Sequence, residues 1–307
     1  MSEVRQRWRI VFARGEEARY LSHLDAVKAW ERAFRRGDIP IATSEGFSPR
    51  PRLVFAAPLS LGMLADHELA DLYLAEKLTA FDLRARLDQA MPPGYEVVDL
   101  YDVWSGAPAL APRLVAADYR MTLLNVEPGR LVDAAERLMA AARLPRERLK
   151  ETRTVKYDLR PLLLAIRVGP PDALPEAEPK AARDAEPDAG SHAAPDADAA
   201  SAVGLWVRLR HSQDLGSGRP DEVVAALAEE MGLQLVGQSE LGENAGANSA
   251  GASRPSASPP SASPHGATPA AAFAPAVEVV HPVRERLWLD DELDVATRLD
   301  SPPARPV

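Results

Sequence analysis

The segment Arg7–Gly37, RWRIVFARGEEARYLSHLDAVKAWERAFRRG, decides the fold because it places one strand directly before one amphipathic helix. Its first eight residues largely alternate between charged and large apolar side chains, which is typical of a strand. Ser22 then precedes Asp25 by three residues, a capping box that predicts the start of a helix. Gly37 predicts where this helix ends. The buried stripe of the helix is expected to consist of Leu24, Val27, Trp30 and Phe34.

The elements that follow complete a recognisable unit. Strands or extended segments and one helix are expected, in chain order, at Ile39–Ala42, Arg52–Ala57, Leu69–Ala75, Phe81–Met91 (the helix) and Tyr95–Val103. The order strand–helix–strand–strand–helix–strand is the plan of a ferredoxin-like fold. We therefore expect residues 1–105 to form a first ferredoxin-like lobe.

The same order recurs in residues 106–242. The expected elements are Ala117–Leu124, the helix Pro128–Ala142, the extended segments Leu149–Tyr157 and Leu159–Val168, the strand Leu205–His211, a helix from Pro220 to Met231 and a closing segment Leu233–Ser239. The sequence therefore predicts an α+β protein with two tandem ferredoxin-like (βαββαβ) lobes.

Two segments are expected to be disordered insertions. Residues 170–203 interrupt the second lobe and contain eight acidic against two basic residues, a net charge of −6. Residues 243–276 form a linker of Ala, Ser, Pro, Gly and Asn. Neither can bury enough apolar surface to offset the entropy lost on ordering. Residues 277–307 are an acidic tail in which Arg286–Leu289 could add an edge strand.

Composition excludes several classes of protein. The chain contains no cysteine, which excludes disulfides, cysteine-ligated zinc, an iron–sulfur cluster and a cysteine nucleophile. Its six histidines include no H-x₃-H or HExxH pair, so no metal and no cofactor are expected. The apolar runs are too short to cross a bilayer, and the N-terminus is charged where a signal peptide is apolar. We expect a cytoplasmic protein without a membrane partner.

The first helix carries the clearest candidate binding residues. Lys28, Arg32 and Arg35 stand at i, i+4 and i+7 and therefore share one face, with Arg36 at its edge. The first sixty residues hold eleven basic and seven acidic residues, a local charge of +4 in a chain of net charge −9. Such a face could follow the phosphates of RNA. It could equally be a solvated surface whose last two arginines complement the helix dipole.

A loop after this helix adds to the case for an anionic ligand. Pro49 and Pro51 stiffen it, so that Arg50 and Arg52 lose less entropy when they bind. Phe47 could stack on a base, or it could anchor the loop in the core. His23 is the candidate acid or base, although a place in the first helical turn explains it equally well. The candidate ligand-binding residues are therefore Lys28, Arg32, Arg35, Arg36, Phe47, Arg50 and Arg52, with His23 as the catalytic alternative.

The motif residues resemble a known bacterial family. They are Arg14, Tyr20-Leu-Ser-His-Leu-Asp25, Arg32–Arg36, Pro40, Gly46-Phe-Ser-Pro49, Pro58-Leu-x₂-Gly62, Tyr157-Asp-Leu-Arg-Pro161 and Gly216–Asp221. The resemblance is to the radical-SAM-linked proteins, an uncharacterised family found alone or joined to the C-terminal end of radical SAM proteins. It implies a separate radical SAM enzyme as partner, because a chain without cysteine cannot hold the cluster.

Three functions follow from the residues and the resemblance together. Members of the resembled family tend to be encoded near ribosomal-protein and ribonuclease genes, which favours RNA as ligand. The first hypothesis is a non-catalytic accessory protein that binds RNA or another anionic substrate through the first lobe. The second is a metal-independent endoribonuclease similar in plan to the tandem ferredoxin-like enzymes that process CRISPR transcripts, with His23 as acid or base and Arg50 as a clamp. The third is a protein-interaction scaffold.

Overall fold

A computed structural model of the chain describes residues 4–45, 47, 49–150, 153–171, 202–212, 214–236 and 276–290. The segments expected to be disordered, 170–203 and 243–276, lie outside the described residues except at their ends. In the described residues, no helix combines the length and apolarity that a membrane crossing requires.

The structure is a mixed α+β fold, which confirms the predicted class. Its helices are α1 (His23–Arg36), α2 (Ala80–Ala90), α3 (Pro128–Ala140) and α4 (Pro220–Met231). Its strands are β1 (Gln6–Arg14), β2 (Leu53–Phe55), β3 (Leu64–Leu74), β4 (Tyr95–Asp102), β5 (Leu114–Leu124), β6 (Pro145–Lys150), β7 (Arg153–Asp158), β8 (Leu163–Gly169), β9 (Val203–Ser212), β10 (Gly216–Ser217), β11 (Gln234–Leu235) and β12 (Ala276–Leu289).

Ten strands form one large, mostly antiparallel sheet. Its order is β10-β9-β5-β12-β3-β1-β4, with β8 beside β9, β2 beside β3 and β11 beside β12. The parallel pairs among these are β12 with β3 and β12 with β11. Strands β6 and β7 form a separate antiparallel hairpin.

Strand β12 differs from the sequence expectation in both length and position. Instead of a short edge strand at Arg286–Leu289, it runs over fourteen residues and pairs with β5 on one side and β3 on the other. The segment expected to close the second lobe, Leu233–Ser239, is described as far as Val236, and within that part its strand is β11, two residues long. A strand with neighbours on both sides can carry charged residues when each has a buried partner, and those partners are invisible in the local pattern.

Helix α1 packs its apolar face on the first half of the sheet. Ser22 caps it as predicted, because its Oγ accepts a hydrogen bond from the Asp25 amide at 3.2 Å. The buried face consists of Ala26, Trp30, Ala33 and Phe34. Leu24 was expected in this stripe but is 47% exposed, since at about 100° per residue it is rotated some 120° away from Trp30.

Two hydrophobic cores flank the strands of the first half. Ile10 and Phe12 of β1 pack with α1 and α2, in a core where the rings of Phe12 and Trp30 meet edge to face at 4.7 Å. Val11 lies between them in sequence and packs against the other core, which is built on α3 and α4. Because successive side chains of a strand point to opposite faces, the second core extends onto the face of β1 opposite α1.

Buried charges hold β12 in its place. Arg284 donates from Nε to Glu68 Oε1 and from Nη2 to Glu68 Oε2, both at 2.5 Å, and both side chains are buried. Burial by itself lowers the pKa of Arg284, but the Glu68 carboxylate and Tyr119 together more than offset this and raise it. Trp288 of the same strand donates its indole N–H to Asp118 of β5 at 2.9 Å. Strand β12 is therefore tied to both of its neighbours through side chains as well as backbone.

Replacing Arg284 by methionine should destabilise the protein strongly, because it leaves the Glu68 carboxylate buried without its cation. The expected loss is about 3–5 kcal/mol of unfolding free energy, measured by urea denaturation. Arg286→Met is the matched control on the same strand. It removes a partly exposed cation stacked on Trp288 at 4.2 Å and should cost only about 0.5–1 kcal/mol. Equal losses for the two variants would contradict this account of β12.

Candidate functional site

Three cations form an exposed basic face on α1, namely Lys28, Arg32 and Arg35. Lys28 lies 3.7 Å from Asp25, whereas Arg32 and Arg35 donate from Nε to the helix carbonyls of Lys28 and Glu31. Within the described ranges, neither arginine has a carboxylate partner. Their outer guanidinium nitrogens are therefore available to an anion, and the exposed Leu24 lies on the same face.

Arg36 has a different role from its three neighbours. Its guanidinium donates to the carbonyl of Ala90, the last residue of α2. This hydrogen bond ties the C-terminal ends of the two helices together. The side chain nevertheless remains exposed at the edge of the basic face.

The loop between α1 and β2 presents Phe47 and Arg50 to solvent. It is closed by a pair of hydrogen bonds, from the Ser44 amide to the Arg50 carbonyl at 2.8 Å and from the Arg50 amide to Ser44 Oγ at 3.0 Å. Phe47 is fully exposed and is not a core anchor. Gly46 and Ser48 lie outside the described residues.

The loop leaves the sheet at the same end at which α1 stops. The Ile39 amide bonds to the Phe34 carbonyl at 3.0 Å, and the Ala42 amide bonds to the Tyr73 carbonyl at 2.7 Å. The chain therefore passes directly from the last turn of α1 to the end of β3, where the loop begins. This places Phe47 and Arg50 near the C-terminal end of α1, where Arg35 lies.

The structure places Arg52 apart from the basic face. Its guanidinium stacks on the ring of Tyr73 at 4.5 Å. The next residue, Leu53, packs in the α1 core. By the alternation of a strand, Arg52 therefore points to the sheet face opposite α1.

His23 lies in the first turn of α1, as one interpretation of the sequence had it. Its ring meets the ring of Phe55 edge to face at 5.5 Å. Partial burial lowers the pKa of His23, so the ring is mostly neutral at neutral pH. In the parts of the chain that are described, no three His, Asp or Glu side chains are grouped so that they could hold a metal ion.

The motif residue Arg14 and two further arginines donate hydrogen bonds to backbone carbonyls of the loop before β3. Arg14 donates from Nε to the carbonyl of Met63 at 3.1 Å and from Nη2 to that of Ser60 at 2.6 Å. Arg19 donates to the carbonyl of Gly62 at 2.8 Å, and Arg284 reaches the carbonyl of Pro58 at 3.2 Å. Three arginines from two ends of the chain thus hold the loop that joins β2 to β3.

Two side chains of the motif Tyr157-Asp-Leu-Arg-Pro161 also form hydrogen bonds with the backbone. Asp158 Oδ1 accepts hydrogen bonds from the amides of Leu144 at 2.8 Å and Arg160 at 3.0 Å, and the first of these bonds is the main reason that the pKa of Asp158 is lowered. Arg160 donates to the carbonyls of Leu163 and Met139. These two side chains fix the entry into β8.

One basic feature was missed by the sequence reasoning. Residues 143–160, which contain the β6–β7 hairpin, hold seven basic and three acidic residues, a net charge of +4. A charge count over this window would have found it. Within this window the sequence pattern predicts a single extended segment, Leu149–Tyr157, where the structure has the two strands β6 and β7.

Comparison with protein families gives a match over much of the chain. The model of a family described as "Uncharacterized protein conserved in bacteria" (DUF2344) matches residues 7–186, and no curated protein matches the chain. The matched range runs from β1 through β8 and so includes α1, the loop with Phe47 and Arg50, and the basic hairpin. Since this match covers more than half of the sequence, the chain belongs to this family of bacterial proteins.

Proposed function

We propose that this protein is a non-catalytic accessory module that binds single-stranded RNA through the basic face of α1 and the neighbouring loop. The observation that carries the proposal is the bonding of Arg32 and Arg35, whose Nε atoms bind only the helix backbone. Other helix arginines lie beside carboxylates: Arg137 of α3 is 3.2 Å from Glu230, and Arg84 of α2 is 2.8 Å from Asp88. Unpaired guanidinium groups on one helix face suit the phosphates of a nucleic acid.

The exposed aromatic ring favours a single strand over a duplex. Phe47 is presented on a closed loop at the end of α1 that carries Arg35. A base can stack on such a ring only where it is not already stacked within a duplex. Phosphates bound by α1 and a base stacked on the loop could then belong to one continuous RNA strand.

The two-lobed plan is part of the same proposal. In the first half β1 pairs with β3 and β4, and β3 pairs with β2, all antiparallel. In the second half β5 pairs with β9 and β12, and β9 pairs with β8, again all antiparallel. The two sets have the same connectivity, with β12 as the fourth strand of the second, which supports tandem ferredoxin-like lobes.

The partner enzyme is inferred from the sequence resemblance. A protein without cysteine would serve radical SAM chemistry by holding a substrate for a second protein that carries the cluster, or by docking to that protein. An RNA held on α1 would be such a substrate. The endoribonuclease alternative depends on His23, whose ring contacts Phe55 and lies in the first turn of α1, two turns before Arg32.

Replacing Arg32 and Arg35 together by alanine should weaken RNA binding and reduce its salt dependence. Alanine has the highest helix propensity, so α1 should stay folded and the loss of affinity should reflect the two missing positive charges. Two lost phosphate contacts should flatten the log–log slope of affinity against salt by about 1.4 on single strands. The slope is measured by fluorescence anisotropy with a labelled single-stranded RNA. Arg137→Ala on α3 is the control and should change neither the RNA affinity nor its salt slope. If this control weakened binding as much as the double variant, or if the wild type showed no salt-sensitive binding at about 0.05 M salt, the scaffold function would be favoured.

Phe47→Ala should weaken RNA binding without changing the salt slope. Stacking of a base on an aromatic ring is worth about 1–3 kcal/mol and releases no counterion. The same anisotropy titration over several salt concentrations measures both quantities. Phe81→Ala is the control, because Phe81 is 81% exposed on α2, away from the loop. A change of slope with Phe47→Ala would show that the ring acts through charge placement and not through stacking.

Wild-type protein is expected to leave bound RNA intact, and His23→Ala to bind it with unchanged affinity. The reason is that His23 contacts an aromatic ring and has no place among the cations of the basic face. Denaturing gel electrophoresis of labelled RNA after prolonged incubation measures cleavage. Cleavage by the wild type that is lost in His23→Ala would establish the endoribonuclease alternative instead.

A further inference from the structure

Arg52 lies at the base of the loop between α1 and β2, on the sheet face opposite α1. The base of this loop is closed by a β-bridge between Thr43 and Pro51, and Arg52 is the next residue. Its amide donates to the Ala42 carbonyl at 2.8 Å, and its carbonyl accepts a hydrogen bond from the Tyr73 amide at 3.1 Å. Two backbone hydrogen bonds therefore hold Arg52 beside the end of β3.

The guanidinium of Arg52 is the outer member of a stack on the sheet. It lies over the ring of Tyr73, 4.5 Å from the ring centroid. Arg7 of the neighbouring strand β1 approaches the same ring at 5.4 Å. Arg52 is exposed, whereas Tyr73 is half-buried. One face of the Arg52 guanidinium plane is therefore covered by the ring, and the other face is open to solvent.

The charge of Arg52 is not neutralised by its neighbours. Among the residues that the structure describes, no carboxylate pairs with Arg52. Asp71 lies on the same sheet face but is used by two other arginines, since Arg7 Nε donates to its Oδ2 at 3.0 Å and Arg9 Nε to its Oδ1 at 2.8 Å. These three side chains are buried. Arg52 therefore adds a free positive charge at the exposed edge of this face.

Other parts of the same sheet face are covered. Val11 packs against the core built on α3 and α4, and Arg7 donates to the Ala107 carbonyl at 2.7 Å and so holds the turn after β4. Val54 lies two residues after Arg52, points to the same side and is 39% exposed. The accessible part of the face is therefore its β2 edge, where an apolar side chain lies beside a flat cation.

This arrangement suits a flat ligand that carries negative charge. The bases of single-stranded RNA stack on arginine guanidinium planes as well as on aromatic rings. A guanidinium also donates hydrogen bonds in its own plane, where phosphate oxygens can accept them. A nucleotide offers both a flat base and a phosphate.

We propose that the Arg52–Tyr73 stack binds a second base of the RNA strand, with the base on the outer face of Arg52 and the Tyr73 ring positioning the guanidinium. This inference rests on the proposed function, because it takes single-stranded RNA as the ligand. It extends that function by giving the strand a path. The strand runs from the basic face of α1 over the loop that presents Phe47 and ends on the opposite face of the sheet.

Replacing Arg52 by lysine tests the stack, because lysine keeps the charge and loses the planar guanidinium. The affinity of the full chain for a fluorescein-labelled oligouridylate should fall about tenfold, as expected for the loss of one stacked base, while the log–log salt slope stays unchanged. Arg50→Lys is the matched control in the same loop. Arg50 is expected to act through charge alone, so this variant should change the affinity by less than about twofold.

Two variants of Tyr73 show whether its ring positions Arg52. Tyr73→Phe keeps the ring and should bind the oligouridylate as the wild type does. Tyr73→Leu removes the ring and should weaken binding by a factor similar to that of Arg52→Lys. The melting temperature of each variant is measured without RNA. Because Arg52→Lys alters an exposed side chain, it decides the question even if Tyr73→Leu does not fold.

The possible outcomes separate this inference from the proposed function. Wild-type affinity in Arg52→Lys, while the variants of the basic face and of Phe47 still bind weakly, overturns the inference and leaves the proposed function standing. The stack would then only stabilise the sheet. Equal losses in Arg50→Lys and Arg52→Lys, or in Tyr73→Phe and Tyr73→Leu, also overturn it. A wild type without salt-sensitive affinity for the oligouridylate overturns both.

Discussion

The pairing of β12 with strands from both halves of the chain is the constraint on which the rest of the structure depends. Without it, β5 and the start of β3, from Leu64 to His67, would each present an unpaired edge, which is a liability for any sheet. The buried Arg284–Glu68 pair also fixes the register, because a slip by one residue would turn the cation to the other face. Arg284 further binds the loop after β2, which Arg14 and Arg19 hold near the start of α1. The last described strand therefore supports the first helix.

The sequence predicts best what is local. The strand β1 and the helices α1 and α4 follow from apolar spacing, a cap at Ser22 and Pro220 at the first helical position, and the structure confirms all three. It predicts β12 poorly, because this strand owes its place to partners more than 150 residues away and carries Arg284, Glu285 and Arg286 in succession. Bulges in its pairing also break the alternation by which a strand is recognised. Position in a sheet is a tertiary property that a local pattern does not contain.

The residues of the candidate site also divide into those that a local pattern predicts and those that depend on tertiary contacts. The spacing of Lys28, Arg32 and Arg35 on a capped helix was enough to predict a shared, exposed face. Whether Arg52 joins them depends on which face of β2 it occupies, and that follows from how Leu53 packs in the core. The positive charge of residues 143–160 can be counted in the sequence. The ion pairs of Arg146 and Arg148 with α4 cannot be predicted locally, because their partners lie more than 70 residues further on.

The two basic features, α1 and the β6–β7 hairpin, belong to one folded unit, because α1 packs on the large sheet and the hairpin is ion-paired to α4. A chain of net charge −9 repels a polyanion, yet screening limits that repulsion to roughly 10 Å at ordinary salt. A polyanion close to the protein therefore responds to local charge, which is positive on α1 and on the hairpin. Linked contacts raise affinity without any new bond, provided their spacing is fixed. Because β12 joins the two halves of the chain through the buried Arg284–Glu68 ion pair and through backbone pairing with β3 and β5, the spacing of the two basic features is set by the folded protein.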